Sequence, residues 1–186
     1  MKYYKILTGP EDLKKYEHCD LFYYTNGKYV KFKSKDIDVS EIKVPENLVD
    51  DLYIKMSDRI NVAKNKQRLL NKELTRSIKV DVSKARTALQ KIVNNMLDEP
   101  SAPILKESKK TINIIVNEYL ENPSIVENLT FVALHDYSTS LHLTNCMLLC
   151  LGYAHFNKLS KYEMTVLGLS GLMHDIGKVD IPEYIL

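Results

Sequence analysis

Four residues of this chain combine a reactive type with a useful spacing: His142, His174, Asp175 and Lys178. His174 and Asp175 are adjacent, so on a helix their side chains leave about 100° apart. At a helix end such a pair converges on a cation only if a neighbouring helix brings further ligands. Gly177 suits the left-handed position that closes such a helix. Lys178, just past that end, can reach an anion beside the cation, a phosphate for example. His142 lies 32 residues before His174, on the preceding predicted helix. A helix–loop–helix hairpin of that length folds back and can bring the two imidazoles together. Imidazole nitrogen with carboxylate oxygen suits iron, manganese or zinc, and ligand softness does not choose among them. The dipeptide itself is common: His135-Asp136 is a second copy, and a histidine on an apolar helix is usually a hydrogen-bonded core residue. What sets His174-Asp175 apart is the sequel of a helix stop, a lysine and then Ile181-Pro182.

The elements that must hold these residues read as helices. Ser160-Lys161-Tyr162-Glu163 fits a capping box, in which the hydroxyl accepts from the N3 amide and the glutamate reaches back to the cap. The helix that follows, 162–174, carries Gly168 and Gly171. Each glycine costs about 1 kcal/mol inside a helix, so the pair predicts close approach of a second helix. Residues 136–139 cap the preceding helix, which runs through Leu141, Asn145, Leu148 and Leu149 towards Phe156. Cys146 and Cys150 share a face of it and are expected as small buried apolar residues. Upstream, Ser57 is the expected N-cap of a long helix carrying Ile60, Ala63, Leu70, Leu74 and Ile78, and Ser83 the expected cap after an interruption at 80–82. A further helix starts at Ser101 with Pro103 and breaks at Asn122-Pro123.

The first ~55 residues differ in kind. Asn26-Gly27 stands between the β-rich runs 21–25 and 28–32, a strong hairpin signal because a type I′ turn needs positive φ at both central residues. Residues 3–8, 37–42 and 52–54 are expected as further strands and 11–16 as a short helix. The reading is therefore a mainly α chain with three parts: a small N-terminal α+β module with a β-hairpin over 1–56, a long helical connector over 57–122, and further helices over 123–186.

Composition narrows the function. With 45% hydrophobic and 27% charged residues the chain has the make-up of a globular protein rather than a disordered one. Lys and Arg number 26 against 24 Asp and Glu, a net charge of +2, which gives no support to a nucleic-acid binder. The basic stretch from Lys55 to Lys91 reads as a solvated helix face. No apolar run approaches the ~18–20 residues of a membrane span, and Met1-Lys2-Tyr3-Tyr4-Lys5 has no apolar signal core. Three cysteines, an odd number, are expected as reduced thiols of a cytoplasmic protein.

The segment His174-Asp175-Ile176-Gly177-Lys178-Val179-Asp180-Ile181-Pro182-Glu183-Tyr184-Ile185-Leu186 closely resembles the HDxGKxxIPxxIL segment of HD-GYP proteins, a branch of the HD metal-dependent phosphohydrolases. Asp136-Tyr137-Ser138-Thr139-Ser140-Leu141-His142-Leu143-Thr144-Asn145 looks like the family's D-x-Y-T-x-x-H-S-x-x-V region. The likeness covers about the last third of the chain and is specific, because generic HD domains usually lack the trailing Ile-Pro. It implies that 123–186 forms the first helices of an HD-type all-α domain, with His142 and His174 as terminal metal ligands and Asp175 as a bridging carboxylate. Lys178 would hold a substrate phosphate oxygen, so that Asp175 and Lys178 are the implied catalytic residues. The implied reaction is hydrolysis of cyclic di-GMP to pGpG or GMP with two divalent ions, iron or manganese. A homodimer through the connector is a further expectation, with the N-terminal module as sensor or dimerisation element.

Three positions depart from the family pattern. Ser138 stands where some members place a glutamate for a third metal, Leu143 where serine is usual, and Asp180 where a small residue is common. They favour two ions over three and leave room for a degenerate relative that senses a nucleotide or docks a partner without hydrolysis. The family's later histidines, last carboxylate and Gly-Tyr-Pro loop do not follow Leu186. The 186 residues are therefore expected to be a piece of a longer protein, inactive alone and with apolar helix surface uncovered.

Overall fold

The computed structural model describes residues 2–6, 10–45, 51–131 and 138–181. Expectations for residues 7–8, for 135–137 and for the Ile-Pro segment beyond Ile181 lie outside the described residues. The chain is mainly α behind a small N-terminal sheet and divides into two compact units, Met1–Lys66 and Gln67–Leu186.

In the first unit β1 (Tyr3–Ile6), β2 (Leu21–Thr25), β3 (Lys28–Lys33) and β4 (Leu52–Lys55) form an antiparallel sheet in the order β1-β4-β2-β3. The β2–β3 hairpin turns at Asn26 and Gly27, whose φ values of 48° and 76° are the left-handed pair such a turn needs. Alternation along β4 sends Leu52 and Ile54 into a core with Ile6, Leu13, Tyr16, Leu21 and Val39. A register shift between Leu21 and Phe22 lets both neighbours be buried. The expected helix at 11–16 is a 3-10 helix, Pro10–Tyr16; the carbonyls of Tyr16 and of Glu17 just after it accept from the Lys33 ammonium. The strand expected at 37–42 is absent. Asp38 accepts from the Ser40 N–H at 2.8 Å and caps a 3-10 turn, Val39–Glu41, because a capping aspartate competes with strand pairing for the local amides.

The second unit contains most of α1 (Arg59–Ser77), then α2 (Val82–Asp98), α3 (Ala102–Glu121), α4 (Ser124–Phe131), α5 (Thr139–Phe156) and α6 (Lys161–Met173). Two caps differ from expectation. The turn Met56–Asp58 precedes α1 in place of a Ser57 cap, and Asp81, not Ser83, caps α2 by accepting from the Lys84 N–H at 3.0 Å. The stretch expected as a connector contributes α2, which packs on α5, and α3, which packs on α6. Polar pairs tie helices together: Asn95 Nδ2 of α2 donates to Gln67 Oε1 of α1 at 2.8 Å in a buried pair, and Thr165 Oγ1 of α6 donates to Asn113 Oδ1 of α3 at 3.0 Å. Among the described residues no helix is long and apolar enough to cross a membrane.

The α5–α6 hairpin is specified locally at both ends of its turn. Lys158, at φ 54°, closes α5 while its N–H donates to the His155 carbonyl and the Leu159 N–H to that of Ala154, a Schellman arrangement. Ser160 and Glu163 then form the expected capping box. Hydrogen bonding to Ser160 holds the Glu163 carboxyl below its ordinary range. A Cβ built on Gly171 would stand 2.9 Å from the Cys146 carbonyl oxygen and 2.8 Å from Cys150 Sγ, so the bare glycine is what lets α6 press on α5. At the outer side of this pair Leu149, Tyr153, Phe156 and Tyr162 remain exposed.

Candidate metal centre

His142 sits one turn into α5, and His174 caps the C-terminus of α6 with helical backbone angles of −57° and −31°. Asp175 leaves the helix at φ −114°, ψ 13°, which swings its carboxylate back towards both imidazoles. The Nε2 atoms of His142 and His174 lie 3.3 Å apart. Asp175 Oδ2 is 3.3 Å from His174 Nε2 and 3.6 Å from His142 Nε2. The close contact of α5 and α6 at Gly171 is what makes residues 32 apart in sequence meet.

One hydrogen bond prepares His174 as a ligand. Its Nδ1 is 2.9 Å from the Gly171 carbonyl oxygen, an atom that can only accept. When the ring is neutral its proton therefore sits on Nδ1, and Nε2 turns its lone pair towards His142 and Asp175. Lys178 Nζ donates to Asp175 Oδ2 at 2.6 Å. That bond is the main reason the Asp175 carboxyl lies below its ordinary range; burial opposes it, and the charge of Lys178 and those of His174 and His142 when protonated add to the lowering. Both imidazoles are open to solvent, with side chains 52% and 40% exposed, so a small anion can approach.

The four residues singled out from sequence thus converge, with two differences. Lys178 is engaged by Asp175. Gly177 lies inside the 3-10 helix Ile176–Asp180 without a left-handed φ, because the chain turns on through consecutive tight bonds such as Lys178 N–H to the Asp175 carbonyl. Sequence reasoning expected Cys146 and Cys150 as small buried apolar residues, but both are only half-buried, and Cys146 stands beside the imidazoles. Its Sγ is 3.6 Å from His142 Nε2, and His142, Cys146 and His174 offer donor atoms that all lie within 4.8 Å of one another. The available signal was the i,i+4 spacing of His142 and Cys146, which places them on one helix face.

The donor set fits a divalent ion: two imidazole nitrogens, one of them with its tautomer fixed from behind, beside an ionised carboxylate. No protein-family model matches the chain, and no curated protein matches it. Among solved structures it is similar to Bd1817, a HDG"Y"P protein from Bdellovibrio bacteriovorus, at 16% sequence identity and a TM-score of 0.50. The similarity covers 97% of this chain and 62% of that protein, so this chain spans less than two thirds of its length. At that identity the likeness shows a shared fold.

Proposed function

We propose that this chain carries the metal-binding hairpin of a phosphodiesterase of the HD-GYP type, which opens cyclic di-GMP to pGpG or GMP. The observation that carries the reading is the convergence of His142 Nε2, His174 Nε2 and Asp175 Oδ2 at separations of 3.3 to 3.6 Å. In this reading His142 and His174 are terminal ligands and Asp175 bridges two divalent ions, iron or manganese. Such ions lower the pKa of a water nucleophile and stabilise charge on the phosphodiester during in-line displacement. The Gly171 carbonyl keeps the His174 lone pair aimed inwards. Lys178 holds Asp175 ionised in the free site, and its flexible ammonium is within reach of a phosphate oxygen that enters beside the carboxylate. The protein works in the cytoplasm, and the helices of 57–122 provide the homodimer contact.

The test is to incubate the full-length protein, loaded with iron or manganese, with cyclic di-GMP and to follow pGpG. Turnover abolished by His174→Ala and reduced by Lys178→Ala supports the reading. Binding of the nucleotide without turnover replaces it with a sensor, and absence of both removes it.

A further inference from the structure

We infer that Cys146 is a metal ligand, so that an ion at this site is held by a thiolate as well as by His142 and His174. The inference rests on the metal-site reading above and goes beyond it in assigning a sulfur donor, which makes the site prefer thiophilic ions. Distances among the donors carry it. A tetrahedral ion with bonds of about 2.0–2.1 Å to nitrogen and about 2.3 Å to sulfur holds two nitrogens about 3.3–3.4 Å apart, and nitrogen and sulfur about 3.6 Å apart. The two Nε2 atoms are 3.3 Å apart and Cys146 Sγ is 3.6 Å from His142 Nε2. The donor atoms of His142, Cys146 and His174 all lie within 4.8 Å of one another, and Asp175 Oδ2 borders the two imidazoles at 3.3 and 3.6 Å.

The backbone supports the same placement. Cys146 lies one turn beyond His142 on α5, and its carbonyl is the atom against which Gly171 of α6 is pressed. Gly171 in turn accepts from His174 Nδ1. One glycine contact therefore sets Cys146 relative to α6 and His174 relative to α5. The half-buried thiol borders an open site, so it can lose its proton to solvent as the ion binds, one proton per sulfur–metal bond formed. A thiolate favours zinc or ferrous iron over manganese.

Anaerobic titration of the full chain with cobalt(II) tests this, with cobalt content measured on the desalted protein. The wild type should develop an intense near-ultraviolet thiolate-to-cobalt band that saturates with the bound ion and disappears when zinc displaces it. Cys146→Ser should lose that band yet keep the weaker visible cobalt bands, with zinc affinity reduced about 10–100-fold or more. Cys150→Ser should keep the band, since Cys150 lies a turn further along α5. Circular dichroism confirms that each variant folds. Cobalt bound by the wild type without the band, or a band that survives in Cys146→Ser, overturns the inference and leaves the metal site standing. A folded wild type that binds no cobalt removes the metal site itself and this ligand with it.

Discussion

Substituting Gly171 by alanine tests how the hairpin builds its site. The new Cβ would meet the Cys146 carbonyl oxygen at 2.9 Å, the Cys146 carbonyl carbon at 3.1 Å and Cys150 Sγ at 2.8 Å. Two of these are backbone atoms in the middle of a helix, so relief requires α6 to retreat by about half an ångström to reach ordinary contact near 3.5 Å. Overpacking of this kind costs about 1–3 kcal/mol, and alanine returns up to about 1 kcal/mol of helix propensity. The net loss of about 1–2 kcal/mol corresponds to a fall in Tm of about 2–8 °C. His174 moves with α6, and since a 1 Å misplacement costs about a hundredfold, ion affinity should drop by about tenfold. Gly168→Ala is the control. Its Cβ meets only side-chain atoms, Leu151 Cδ2 at 2.7 Å and Ile112 Cγ2 at 3.2 Å, which can rotate aside. It should cost under about 1 kcal/mol and leave ion affinity unchanged. Thermal melting and cobalt titration of both variants give the answer. A Gly171→Ala protein that melts at or above the wild type and binds cobalt equally well refutes the argument.

Three further predictions concern stability. Burial alone would raise the Asp20 carboxyl, but the Lys35 N–H and the Lys31 and Lys55 ammonium groups outweigh it and hold it below its ordinary range. The unfolded chain, with an aspartate pKa of about 3.9, then binds that proton more tightly. The stabilisation is complete above that value and fades as pH falls through the lower folded one. Acid unfolding of the N-terminal unit should show this loss, and Asp20→Asn should flatten it. Lys33 is 1% exposed and donates to the Tyr16, Glu17 and Cys19 carbonyls at 3.4, 2.8 and 3.2 Å. Lys33→Met should destabilise that unit by about 2–3 kcal/mol in urea unfolding. Lys158 holds a left-handed φ of 54°. Lys158→Gly should stabilise the helical unit by about 0.5–1 kcal/mol in the same assay, the strain relieved being partly offset by the glycine's greater freedom when unfolded.

Much of the hairpin was legible because its signals are local. Asn26-Gly27, the Ser160/Glu163 box and the Gly168/Gly171 pair each demand a backbone geometry that few alternatives satisfy, and each adopts it. Short-range competition defeated other readings: Asp38 and Asp81 took amides that β-propensity and a serine cap were expected to claim. Cys146 and Lys33 were illegible for a different reason. Whether the His142–Cys146 face of α5 meets His174 of α6, or a lysine on a strand reaches three carbonyls of the turn before its partner strand, depends on helix crossing and on tertiary placement. A residue's type and its neighbours in sequence do not carry that information.

The central claim is that His142, His174 and Asp175 grip a divalent ion. The most direct measurement is the metal content of the full-length protein after loading with iron or manganese and desalting, alongside folded His142→Ala and His174→Ala. The account predicts bound metal in the wild type and its loss in both variants. A folded wild type without bound metal, or variants that hold as much as the wild type, would contradict it.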